Sequence, residues 1–115
     1  SCGSAGERAD GYDQPHGAFK LHANQGPVQN LTITGLDIVD ATNSAIHLQG
    51  ESYIDTVYFD GVSIQGAGGA AFFLSWGSNG ACDAANVVAE GVSTGVQDDS
   101  DGNFTILRGP GNSGW

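Results

Sequence analysis

The chain has 115 residues, with 19 glycines, no methionine, 3 basic against 13 acidic residues and a net charge of −10. That length suits one domain with a modest core, and so much glycine argues against a helical bundle and for short strands joined by turns. The charge argues against nucleic acid, an anionic membrane surface and a polyanionic polysaccharide as partners, since all three reward clustered Lys and Arg; neutral polysaccharides stay open.

Residues 1–17, "SCGSAGERADGYDQPHG", hold almost no apolar side chain and read as an irregular loop, with no signal-peptide pattern. Tyr12, Asp13 and His16 stand close together in it, and Asp10 and Asp13 are its carboxylates of interest. Cys2 and Cys82 are the two cysteines, without metal-site spacing. Two readings stay open: one Cys2–Cys82 disulfide in an oxidising compartment, or a Cys82 that is free or buried with Cys2 paired to something outside this chain.

From Ala18 onward two motifs alternate. The first runs Ala18-Phe19-Lys20-Leu21-His22, then Ala45-Ile46-His47-Leu48-Gln49, then Ala71-Phe72-Phe73-Leu74-Ser75, and more loosely Asn103-Phe104-Thr105-Ile106-Leu107, with steps of 27, 26 and 32. The second sets Asn30–Ile38 over Thr56–Ile64 over Asn86–Thr94, aligning Gly35, Gly61 and Gly91 at steps of 26 and 30. In each copy of the second motif alternation of apolar and polar residues breaks at the glycine and resumes out of phase. This predicts two short strands around a bend or bulge. A unit of strand, bend, strand and turn recurring with a period in the twenties is the pattern of a parallel solenoid, in which stacking buries what one unit cannot. The fold expected is all-β: a right-handed parallel β-helix of about four rungs over 18–107. The longer steps predict loop insertions at 77–82 and 97–103. A β-sandwich explains the alternation but not two motifs returning in fixed order.

Residues 108–115, "RGPGNSGW", are irregular, end in Trp115, and are expected to fold over the last rung as a C-terminal cap. Residues 1–17 make a poor cap for the other end, so further rungs are expected to precede residue 1, in the same polypeptide or an associated one.

The strand motif, if Phe19, Ile46 and Phe72 point inward, displays Lys20, His47 and Phe73 in one outward column and His22, Gln49 and Ser75 in the next, followed by Trp76. Aromatic faces covering the C–H face of a pyranose, beside amide, imidazole and ammonium groups for its hydroxyls, suit a sugar groove, with Tyr12, Asp13 and His16 entering the same face. An ordinary solvated face, or one covered by a loop, has the same composition. The three histidines match no zinc spacing, and "DDSDG" at 98–102 lacks the pattern of a calcium loop, so no metal and no cofactor are expected. Asn30-Leu31-Thr32 and Asn103-Phe104-Thr105 fit the N-glycosylation pattern; asparagines at rung corners, Asn30 and Asn86, are expected to bond turn backbone.

The stretches "VQNLTITGLDIVDATNSAIHLQG", "IDTVYFDGVSIQGAG" and above all "FTILRGPGNSGW" resemble the C-terminal rungs of the catalytic β-helix of glycoside hydrolase family 87, the α-1,3-glucanases and mycodextranases, over about residues 17–115. The resemblance implies a secreted, inverting endo-hydrolase of α-1,3-glucan, with a neutral α-glucan and upstream rungs as partners. It also implies that the catalytic acids lie near a Gly-Asp-Asp-Gly segment, which this chain lacks. Asp98-Asp99 precedes the final strand and does not inherit the role. A non-catalytic carbohydrate-binding β-helix of lectin or tailspike type, and a purely structural cap, are the rival readings.

Overall fold

A computed structural model describes residues 17–23, 26–50 and 52–115. The expectations resting on Cys2, Asp10, Tyr12, Asp13 and His16 fall outside them. The described residues form six strands and no helix: β1 (Phe19–His22), β2 (Val28–Ala41), β3 (Ile46–Gln49), β4 (Ile54–Leu74), β5 (Gly80–Asp98) and β6 (Phe104–Arg108). Every pairing between them is parallel, in the order β1-β3-β4-β5-β6 with β2 beside β4. Long strands that pair only with strands one period away make a coil, here a β-solenoid of about three turns: Phe19 stacks on Ile46, Ile46 on Phe72 and Phe72 on Val96.

The long strands turn corners by a five-residue device. Asn30, Gly35 and Asp40 in β2, Thr56, Gly61 and Gly66 in β4, and Asn86 and Gly91 in β5 all hold φ between 51° and 87°. A left-handed residue rotates the chain and resets the alternation, so the first and third residues after each corner face inward. Val57 and Phe59, Val62 and Ile64, and Val87 and Ala89 are accordingly buried. Gly, Asn and Asp occupy seven of these eight positions because they reach φ > 0 at least cost.

The same device corrects the expected register. Gly61 lies over Gly35, as expected, but Gly91 lies over Gly66, and the residue beside Val62 is Val87 rather than Val92. Likewise Val96 and Asp98 stack on Phe72 and Leu74, whereas Phe104 stacks on Gly80. The true steps shorten from 27 to 24 along the coil, through one-residue irregularities between Ile54 and Tyr58 and between Ala67 and Ala70. The loops expected at 77–82 and 97–103 are narrower: only 77–79 and 99–103 lie in turns, since Gly80–Cys82 and Gln97–Asp98 belong to β5. The turns 75–79 and 99–103 stack on the turns before them through Asn79 N–H to Gly50 O (3.2 Å) and Gly80 N–H to Asn103 O (3.0 Å).

Inside the coil Phe59 meets Phe19 and Phe72 edge to face, at 6.1 and 5.6 Å between centroids, and Trp115 follows at 4.8 Å from Phe72. Such pairs add about 0.5–1.5 kcal/mol each beyond the area they bury. After β6 the chain runs beside β5 once more. Ser113 bridges Val88, and Asn86 N–H and Ala89 N–H bond Pro110 O and Ser113 O. Asn112 acts as a piece of strand: its Oδ1 accepts from Val87 N–H (2.9 Å) and its Nδ2 donates to Ala84 O (2.9 Å). Trp115 Nε1 donates to Val87 O (2.8 Å), while Arg108 lies 4.2 Å over the indole and donates to Trp115 O.

Candidate functional site

Register brings the expected columns together. Lys20, His47, Phe73 and Gln97 lie side by side on β1, β3, β4 and β5, with His22 beside Gln49. They alternate with Leu21, Ile46, Leu48, Phe72 and Leu74, which are buried in the core, so period-2 geometry turns them to the outside.

Their exposure departs from expectation at two positions. His47 is fully buried (0 %). Its ring stacks on Phe73 at 4.7 Å and 25°, and the backbone at Gly17 crosses so closely that a Cβ there would stand 2.7 Å from the His47 Cβ. His47 is therefore the floor under Phe73 and not an open hydrogen-bonding group. Ser75 is also buried: it leaves the column for the turn, where its hydroxyl lies 3.4 Å from Ser78 Oγ and Ser78 bonds Leu48 O (3.0 Å). His22 is exposed, and Lys20, Gln49 and Phe73 are half-buried. Gln49 Oε1 is a buried acceptor with no hydrogen bond. Trp76, at the tip of the turn that follows, is 75 % exposed. An aromatic rim, an ammonium group, an imidazole and an amide thus occupy one outer face.

Asp98 continues the Leu74 position, and its Oδ1 accepts from Ser100 N–H (2.8 Å) and Ser100 O–H (2.5 Å). Its carboxylate organises the turn 99–103, in keeping with a structural reading of "DDSDG". Asn86, expected to bond turn backbone, instead donates to Asp60 Oδ1 (2.8 Å) and owes its place at the corner to φ 53°. Cys82 is a free thiol on the inner face. Burial, with the Asp83 carboxylate next in effect, pushes its pKa up to about 12.

A second surface was hidden by the register. Tyr58, Asp83 and Leu107 share an outward column on β4, β5 and β6, and Asp60 and Ala85 share the next. With Phe59, Ala84 and Gly109 they line a groove of about 240 Å³. The five-residue slip places Val88 over Tyr58, so the true neighbour Asp83 goes unseen; alternation of outward Tyr58 and Asp60 was the available signal.

No family model matches the chain, and no curated protein does. Among solved structures, the catalytic unit of the thermostable GH87 α-1,3-glucanase from Streptomyces thermodiastaticus strain HF3-3 matches with a TM-score of 0.79 and 25 % identity, over 89 % of this chain and 20 % of that one. The chain spans about a fifth of that catalytic unit's length. The likeness to glycoside hydrolase family 87 carried by residues 17–115 is therefore met in three dimensions: the chain is a β-solenoid that resembles part of a GH87 α-1,3-glucanase catalytic unit.

Proposed function

We propose that this chain is the C-terminal part of a secreted, inverting hydrolase of α-1,3-glucan, forming one wall of the substrate cleft and the terminal cap. The observation that carries the proposal is the match of 89 % of the chain to a GH87 α-1,3-glucanase catalytic unit at a TM-score of 0.79. The wall is the face of Lys20, His22, Gln49, Phe73 and Trp76, with His47 holding the Phe73 ring from behind. The cap is the segment in which Asn112 and Trp115 take up the backbone groups of Ala84 and Val87. Tyr12, Asp13 and His16 are assigned to the same cleft from the sequence alone.

The catalytic acids come from rungs before residue 1. Inversion uses two carboxyl groups roughly 6.5–9.5 Å apart, one protonating the leaving oxygen and one activating water. Support for such rungs comes from the first turn. Among the described residues β1 and β2 are paired on one side only, and Leu31, Ile33 and Leu36 are half-buried. Their stacking partners Val57, Phe59 and Val62 are 0, 1 and 2 % exposed. A further rung on that face would bury the first set as this one buries the second.

The test is hydrolysis of α-1,3-glucan by the natural full-length polypeptide, with product anomers followed by NMR. Release of oligosaccharides as β-anomers is the expected result. No release, with the protein folded, would overturn the assignment, and retained α-anomers would overturn inversion.

A further inference from the structure

We infer that the groove between Tyr58, Asp83 and Leu107 is a second saccharide-binding site that seats one pyranose of a neutral glucan, on a different face from Lys20 and Trp76. This rests on the polysaccharide-hydrolase reading above and adds a contact to it. Three features carry it. First, Tyr58 is 44 % exposed and Leu107 52 %, on a strand face whose period-2 rule calls for polar side chains outside. Second, the groove exists because small residues fill the columns beside them: Ala85 follows Asp60, and Gly109, whose N–H bonds Ala84 O at 2.8 Å, follows Arg108. About 240 Å³ lies below the roughly 300–1,000 Å³ of pockets for larger ligands and suits a single ring.

Third, the charged lining is all carboxylate, with the Tyr58 hydroxyl as the one other polar side-chain group. Asp60 and Asp83 contribute carboxylates, and no Lys, Arg or His lines the groove. Acceptors beside an aromatic face complement a ligand that brings hydroxyl donors and a C–H face, and they repel anions. Asn86 Nδ2 fixes Asp60 Oδ1 at 2.8 Å, leaving the other carboxylate oxygen for a hydroxyl. Rung stacking therefore puts a ring, a donor-seeking carboxylate and an apolar edge in one place, which is what a sugar ring needs and what a water-filled crease does not.

The experiment is a titration of the 115-residue chain with an α-1,3-linked gluco-oligosaccharide, followed residue by residue in amide NMR spectra. Saturable shifts at Tyr58, Asp83, Ala84 and Leu107 are expected. Tyr58→Ala should weaken them about five- to tenfold, and Tyr58→Phe should retain them, because the ring face and not the hydroxyl makes the contact. Shifts confined to Phe73 and Trp76 would overturn the groove site and leave the hydrolase reading standing. Shifts at the groove with calcium chloride but not with the saccharide would make it a cation site and overturn the proposal. No shift with any saccharide would overturn the groove and count against glucan recognition by this chain altogether.

Discussion

Thr56 holds φ 51° at a corner where the rung before it has Asn30 at φ 58°. A β-branched residue is the least suited of the common types to that region, whereas Asn reaches it readily. Thr56→Asn is therefore expected to stabilise the chain by about 1 kcal/mol, read as a higher urea midpoint at unchanged slope; a lower midpoint would mean that the hydrogen bond from Thr56 Oγ1 to Asp55 Oδ1 (3.3 Å) outweighs the strain. Cys82 gives a second prediction at this scale. Its thiol titrates near 12 in the folded chain against 9.0 when free. Below pH 9 both states keep the proton. Between 9 and 12 only the unfolded chain gives it up, so stability falls as pH rises through that window. Cys82→Ala should flatten this alkaline limb. Iodoacetamide at pH 8 should label Cys82 only after denaturation; labelling in neither state would place it in a disulfide.

At the scale of the element, the closing segment works as a substitute strand. Asn112 supplies one acceptor and one donation to the β5 edge beyond β6 and a second donation to Gly109 O in its own segment, and Trp115 covers Phe72. Asn112→Ala leaves the Val87 N–H without its acceptor and should cost about 1–3 kcal/mol, and Trp115→Ala should cost about 3 kcal/mol through lost packing. Equilibrium denaturation reads both, and a near-neutral Asn112→Ala would show that water replaces the amide. The element scale is also where sequence reading succeeded and slipped. Alternation around Gly35 and Gly61, and the Phe19, Ile46 and Phe72 series, disclosed strands, corners and the stacking of the first rungs. The third rung was misplaced by five residues because corners themselves recur every five residues, and "EGVST" shares Gly, Val and Ser with "DGVSI" but only Gly with the true partner "QGAGG". Strand patterning cannot tell one corner from the next; stacking can. For the same reason the outer column of Lys20, His47 and Phe73 was legible while the burial of His47 was not. That burial depends on where the chain near Gly17 crosses, a contact no local pattern records.

For the molecule as a whole, the two ends of the coil differ. Among the described residues, one is covered by Trp115 with Arg108 over it, and the other leaves Leu31, Ile33 and Leu36 half-buried. In a stack of rungs stability is a sum of neighbour interactions, so a rung with one neighbour opens most easily. Amides of β2 should exchange with solvent well before those of β4, and the difference should shrink if a further rung is joined to that face. Equal protection in the isolated chain would argue against an open stacking face. The central claim, that this solenoid segment serves a glucan-degrading enzyme, is tested most directly by co-sedimentation of the 115-residue chain with insoluble α-1,3-glucan, with cellulose as the control. The account predicts that the chain pellets with α-1,3-glucan, does not pellet with cellulose, and loses most of its binding on Trp76→Ala. A chain that stays in the supernatant with both would contradict it.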